Sequence, residues 1–273
     1  MRGKHVSKTI EEVVAEAEGL VLKGVKEIML IAQELTYYGL DIYKERKLAE
    51  LLRAVSDVKG VEWIRLHYAY PSKFPMEILD VMKERDNICN YLDMPLQHCS
   101  DNMLKAMKRQ ITRAEMLQLI ADIRAKVPGI ALRTTLITGF PGETEADVED
   151  LKAFLEEVKF ERVGIFTYSH EENTTAHDLE DNIPSDEKER RAQSIMEVQQ
   201  EISYEKNQEY IGRTMKVIID KLEAGRYIGR TEFDSVEVDN EVIINTNKKL
   251  ELGSMVMATI TKAYDYDLEA ELA

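Results

Sequence analysis

The sequence predicts an α/β protein followed by a small all-β unit, and three observations carry that expectation. Between residue 9 and about residue 209, segments with apolar residues every three to four positions alternate with short runs rich in β-branched residues, the pattern of βα units around a parallel sheet. After Gly212 the apolar residues alternate singly, as in half-buried strands. A composition of 44% hydrophobic and 32% charged residues with 6 Pro is that of a folded chain, and 273 residues suffice for one large domain and a small one.

The elements follow in order. Thr9 and Glu12 have the spacing of a capping box, and Ile10, Val13, Val14, Ala17, Leu20 and Val21 share one face of the helix it opens, which ends near Gly24. Strands are expected at 27–33, 61–70, 91–97, 130–139 and 162–169, separated by helices long enough for crossovers. Thr112 with Glu115 opens one such helix, which stops at Pro128-Gly129. Thr144 opens another, carrying Val148, Leu151, Leu155 and Val158. A long helix over about 185–210 leaves the repeat.

A βα repeat should begin with a strand, yet the first recognisable element is a helix. The expectation is therefore a partial TIM-like (βα) barrel, missing its first strand and catalytic loop, over residues 1–209. Strands at 215–222, 227–231, 241–245, 255–261 and 267–272, with a turn at Glu223-Ala224-Gly225-Arg226, predict a small barrel of oligonucleotide-fold type over 210–273.

Apolar runs such as Glu27-Ile28-Met29-Leu30-Ile31-Ala32 fall far short of the roughly 20 residues that cross a bilayer. No signal peptide is legible at the start, so the cytoplasm is the expected location. A net charge of −15 argues against a broad phosphate-neutralising surface and suits a basic protein partner. Cys89 and Cys99 are too widely spaced for a CxxC-type metal motif and read as buried thiols. His5, His170 and His177 show no metal-ligand spacing, and no metal site is expected from the residues present.

Candidate functional residues lie where strands should end, because ligands of parallel α/β proteins sit at the carboxyl ends of strands. A strand runs through Arg133 into Gly139-Phe140-Pro141-Gly142-Glu143-Thr144, where glycines allow close backbone approach; the alternative is an ordinary βα turn. Pro95-Leu96-Gln97-His98 and Ala32-Gln33-Glu34 end two other strands, and His98 by itself is more simply a hydrogen-bonded loop histidine. Alternation in the strand ending at Tyr70 places His67 and Ala69 on one face, Tyr68 and Tyr70 on the other.

Taken in order, these segments resemble the methylthiotransferase branch of the radical S-adenosylmethionine superfamily along the whole chain. Arg2-Gly3-Lys4 is similar to the stretch following the family's CxxxCxxC loop. Ile31-Ala32-Gln33-Glu34, Arg65-Leu66, Tyr70-Pro71, Leu92-Asp93-Met94-Pro95-Leu96-Gln97-His98, Arg133-Thr134-Thr135 and Gly139-Phe140-Pro141-Gly142-Glu143-Thr144 fall where the family has them. The closing unit, with Gly229-Arg230-Thr231 and Val236-Glu237-Val238-Asp239, resembles a TRAM domain. Pro95-Leu96-Gln97-His98 followed by Ser100-Asp101 resembles the RimO-like subgroup, which modifies a ribosomal protein, more than the tRNA-modifying one.

The resemblance implies S-adenosylmethionine and [4Fe-4S] clusters as cofactors, and methylthiolation of the β-carbon of an aspartate in the twelfth small-subunit ribosomal protein. It implies that Gln33, Glu34, Gln97, Arg133, Gly139, Phe140, Pro141, Gly142, Glu143 and Tyr168 surround S-adenosylmethionine; the catalytic residue stays unassigned. The CxxxCxxC triad is absent, so the chain by itself is expected to be inactive. The alternatives are a tRNA methylthiotransferase of the same branch, marked by a basic face on residues 210–273, and a non-catalytic protein-binding module. That closing unit is instead acidic, which suits a basic ribosomal protein better than nucleic-acid readout; a monomer is expected.

Overall fold

A computed structural model describes residues 5–172, 174 and 176–273. Its first unit is a five-stranded parallel sheet in sequential order: β1 (Glu27–Leu30), β2 (Trp63–Leu66), β3 (Ile88–Asp93), β4 (Ala131–Thr138) and β5 (Arg162–Thr167). Helices α1 (Ile10–Val21), α2 (Leu48–Ser56), α3 (Glu77–Glu84), α4 (Asp101–Ala106), α5 (Arg113–Lys126) and α6 (Glu145–Val158) alternate with the strands, and α7 (Ser185–Gln208) follows. Complete capping boxes start α1, α5 and α6, at Thr9, Thr112 and Thr144, each satisfying amides that the first helical turn leaves free.

Alternation along the strands divides the sheet into two faces. Ile28, Leu30, Ile64, Leu66, Leu92, Leu132 and Leu136 pack under the helices in one continuous core with Leu52, Val55, Leu79, Phe154 and Ile195. The opposite, concave face carries Glu27, Arg65, Tyr91, Arg133 and Arg162, all with side chains out of bulk water. Charge at that density in a sheet interior requires partners.

The second unit supplies them. Strands β6 (Thr214–Glu223), β7 (Arg226–Arg230), β8 (Val242–Ile244), β9 (Met255–Ala263) and β10 (Leu268–Leu272) close a barrel in the order β10-β8-β7-β6-β9. Gly229 allows β7 to cross β6, since a Cβ there would stand 2.2 Å from the Ile218 carbonyl oxygen. The β7–β8 connection, residues 231–241, enters the concave face of the parallel sheet. Asp234 accepts from Arg162 Nε and Nη2 at 2.8 and 2.5 Å. Asp239 accepts from Arg133 Nε at 3.2 Å and from the Tyr91 hydroxyl at 2.7 Å. Arg65 donates to Glu27 at 2.8 Å and to the Glu232 carbonyl at 2.7 Å, its guanidinium lying 4.7 Å from the Tyr91 ring centre. Arg230 pairs with Glu27, and Trp63, Cys89, Tyr91 and Ala131 pack against Ile218.

Asp234 and Asp239 belong to the acidic excess that favours a basic partner, but each saturates a buried arginine of the sheet. These two carboxylates are internal and are cancelled by the arginines they meet, so the chain's net acidic excess is carried by other residues.

Three strand ends differ from expectation. β1 stops at Leu30, short of 33, because the chain turns into a 3₁₀ turn over Leu35–Tyr37 capped by the Glu34 side chain. β2 stops at Leu66, short of 70, because Tyr68 adopts φ 60° and donates its backbone N–H to the Asp93 carboxylate. Alternation is therefore lost: Tyr68, Ala69 and Tyr70 all reach one cavity, while His67 turns inward to Asp93 and the Ser235 hydroxyl. β3 ends at Asp93, and Gln97 rejoins β4 through an isolated bridge to Leu136.

Candidate active site

The carboxyl ends of all five parallel strands converge on one cavity of about 400 Å³. Gln33 and Glu34 follow β1, Tyr68, Ala69 and Tyr70 follow β2, and Pro95 and Gln97 follow β3. Arg133 and Thr135 come from β4 and Phe166 from β5. Arg109 reaches in from the link between α4 and α5, and Val238 from the barrel's β7–β8 loop. Backbone geometry at the mouth is unusual: Tyr68 and Gln97 have φ of 60° and 75°, which costs a non-glycine residue about 1–2 kcal/mol. At Gln97 the strain is held by hydrogen bonds on both sides, from its N–H to Thr135 and from Ile137 N–H to its carbonyl, at 2.9 and 2.7 Å.

The charges in the cavity are differently placed. Glu34 Oε1 accepts from the Thr36 and Tyr70 amides at 3.0 and 3.2 Å and from the Thr36 hydroxyl, so this carboxylate ties the β1 and β2 ends together. Arg133 is held between Asp93 and Asp239. Burial works against its charge, and those two carboxylates outweigh it, raising the guanidinium above its ordinary range. Asp93 is lowered in return: burial would raise it, but His67, Arg133 and the Tyr68 amide prevail. Asp239 stays raised by burial and by Asp234 beside it, only partly offset by Arg133 and Tyr91.

Of the residues singled out from the sequence, Gln33, Glu34, Gln97 and Arg133 meet in this cavity. Gly139, Phe140, Pro141, Gly142, Glu143 and Tyr168 do not line it. Their loop is packed beneath the start of α7, with the Lys188 stem over Gly139 and Phe140 edge-on to Tyr168 at 5.0 Å. Glu143 accepts from Gly139 N–H at 2.8 Å, the Thr138 hydroxyl at 3.0 Å and Arg191 at 2.8 Å. Burial raises its carboxyl, but His98, Arg191 and the Gly139 amide hold it below the ordinary carboxylate value. His98 Nδ1 accepts from the Cys99 and Ser100 amides, so its proton is on Nε2, which donates to Glu143 at 3.3 Å. The cluster is a fully satisfied brace and His98 a structural loop histidine.

Sequence reasoning did not assign Arg109, Thr135, Phe166 or Val238 to the site. Thr135 follows Arg133 at the period of a strand face, a usable signal. Lys108-Arg109 reads as surface charge, and nothing in the sequence links the barrel loop to a strand end 100 residues away.

A cavity of this volume, with amide, hydroxyl, guanidinium and aromatic groups on its walls, fits a nucleoside-sized ligand such as S-adenosylmethionine. The residues do not fit an iron–sulfur cluster. Cys89 lies in the sheet interior beside Trp63 and Tyr91 and Cys99 on the helix side. Both are buried free thiols, and no group of three or more metal-ligating side chains occurs among the described residues.

Comparison with known proteins defines the class. Residues 1–155 match the radical SAM superfamily and residues 211–273 the TRAM domain. The chain, more than half of it covered by the first match, belongs to the radical SAM superfamily. Coproporphyrinogen III oxidase HemN of Escherichia coli, a radical SAM enzyme, shares its fold at a TM-score of 0.53 and 17% identity over 74% of this chain and 48% of its own. More similar in sequence is the ribosomal protein uS12 methylthiotransferase RimO of Flavobacterium johnsoniae, 56% identical over 100% of this chain. RimO of Cytophaga hutchinsonii is 55% identical, also over 100% of the chain. The chain spans 63% and 62% of the length of these relatives.

Proposed function

We propose that this chain forms the S-adenosylmethionine pocket and the TRAM unit of an enzyme that methylthiolates the β-carbon of an aspartate in ribosomal protein uS12. The carrying observation is the polar cavity at the convergent carboxyl ends of β1 to β5. Identity of 52–56% over essentially the full chain to proteins named for that activity supports the substrate assignment. S-adenosylmethionine bound here would supply the hydrogen-abstracting chemistry of the superfamily on receiving one electron from an iron–sulfur cluster, whose ligands would have to come from outside the described residues.

In this reading Gln33 and Gln97 donate and accept hydrogen bonds to the cofactor, while Glu34 fixes the loop that presents Gln33. Arg133 positions the Val238–Asp239 wall without offering a free charge. Phe166 and the Tyr68 ring cover apolar cofactor surface and exclude water. The Gly139–Glu143 loop and Tyr168 act behind the wall, setting the end of β4. We take the unit boundary to lie near residue 210, a reading supported by the break between the end of α7 and the start of β6. The working form is a cytoplasmic monomer that docks a basic ribosomal protein without reading nucleic acid. Among the described residues no helix is long and apolar enough to cross a membrane.

Calorimetric titration with S-adenosylhomocysteine tests the pocket. Gln33→Ala and Gln97→Ala should each weaken binding roughly tenfold, the size of one lost hydrogen bond in a dry site; unchanged affinity in both removes the cavity from cofactor binding. Mass spectrometry of uS12 from cells with and without the gene tests the substrate. A methylthio mass increment that persists without the gene refutes the assignment.

A further inference from the structure

The cavity holds three charged side chains, Glu34, Arg109 and Arg133, of which only Arg133 is ion-paired among the described residues. Arg133 has two carboxylates, and Glu34 is engaged by two backbone amides and a hydroxyl. Arg109 forms no ion pair among the described residues. Its Nη2 donates to the Pro95 carbonyl at 2.8 Å, its guanidinium lies 4.5 Å from the Tyr70 ring centre, and its Nε is buried without any acceptor. Burial lowers the guanidinium from its ordinary range, with Glu34 near enough to oppose this but beyond ion-pair distance.

Arg109 is half-buried, and its Nε, the buried part of the guanidinium, is left without an acceptor, which is costly. The surroundings nevertheless fix its position. The Tyr70 hydroxyl is anchored by the Gln110 amide at 3.4 Å, and Lys108, at φ 56°, turns the chain out of α4 so that Arg109 points back over the strand ends. An aromatic platform under a guanidinium, with its edge directed into a cavity, presents a fork that matches both oxygens of a carboxylate.

We propose that Arg109 is the specificity-determining residue that grips the side-chain carboxylate of the target aspartate. The inference rests on the reading of this cavity as the reaction pocket. Arg109 enters from the α4–α5 link and not from a strand end, so it stands at the rim, where a polypeptide loop must arrive. The β-carbon is bonded directly to the carboxylate carbon, so a two-point grip that fixes the carboxylate plane also fixes where the β-carbon lies. Asparagine presents one acceptor and an NH₂ donor to the same fork and cannot reproduce the grip.

The test uses this chain, a peptide spanning the modified aspartate of uS12, and the same peptide with asparagine in its place. The wild-type chain should bind the aspartate peptide roughly tenfold or more tightly than the asparagine peptide. Arg109→Gln should abolish the difference and Arg109→Lys retain part of it, each checked for folding by thermal melting. Because the wild-type comparison needs no variant, equal binding of the two peptides overturns the proposal even if Arg109→Gln fails to fold. S-adenosylhomocysteine and methylthioadenosine, which differ in the amino-acid moiety, form the control arm. If Arg109→Gln removes the preference between these two and leaves the peptide preference intact, Arg109 serves the cofactor carboxylate and the proposal falls. Binding of S-adenosylhomocysteine without binding of either peptide defeats this inference alone. Failure of the wild-type chain to bind any of the four defeats the pocket reading with it.

Discussion

Asp234→Ala probes how the barrel is joined to the sheet. Asp234 and Arg162 are 1% and 5% exposed, and the carboxylate also accepts from the Thr231 hydroxyl at 2.6 Å. Without it, Arg162 keeps only the Glu161 carbonyl, at 2.7 Å, as an acceptor among the described residues. Removing one partner of such a buried pair leaves an uncompensated charge and costs about 3–5 kcal/mol, against 0–1 for an exposed pair. For a chain of this size that corresponds to a fall in melting temperature of roughly 6–20 °C. The single tryptophan, Trp63, lies in the cluster that touches Ile218 of the barrel, so its fluorescence reports this junction directly. Urea denaturation followed by that signal should show Asp234→Ala strongly destabilised and Asp234→Asn less so. Combining Arg162→Met with Asp234→Leu should recover most of the loss, because no charge is then left buried. A loss below about 1 kcal/mol in Asp234→Ala would refute the argument that this pair is dry and uncompensated.

Glu143 provides a pH signature. Its folded carboxyl is held below the ordinary value, so its contribution is complete above the unfolded carboxylate range of about 4–4.5 and is lost as pH falls through the lower folded value. Glu143→Gln should therefore lower stability at pH 7 and flatten the acid limb of the stability profile; an unchanged acid limb would show that Glu143 is not charged in the fold. The thiols give a chemical test. Burial pushes Cys89 up to about 12 and Cys99 higher still, with Asp150 adding to the latter, so neither should react with a thiol reagent at pH 8 until the chain unfolds. Rapid labelling of the native chain would place a thiol at the surface and contradict the packing around it.

Much of the fold could be read from residue spacing. Helix starts followed from Thr9, Thr112 and Thr144 because a capping box is local, its donors and acceptors being three residues apart. The existence and order of the strands followed from period-two and β-branched runs, and the closing barrel from the same period. The ends of β2 and β3 were not legible, because they are set by contacts between strands: Tyr68 leaves the β region to meet Asp93, 25 residues away. Gln33, Glu34 and Gln97 could be chosen from the rule that ligands gather at strand ends. The Gly139–Glu143 loop satisfied the same rule, yet its polar groups are consumed by His98 and Arg191, the latter 48 residues away in sequence.

The sequence by itself determined the class, the succession of elements and the strand ends at which a site should form, because periodicity and capping act over a few residues. Only the tertiary structure decided which charges are free. Arg133, Arg162, Asp234 and Asp239 form pairs 72 to 106 residues apart, when the barrel loop enters the concave face of the sheet, and their charges cancel there. Arg109 is left in the cavity without an ion pair among the described residues, since ion pairing is fixed by distance in space and dielectric surroundings, neither of which is written in the spacing of residues along the chain.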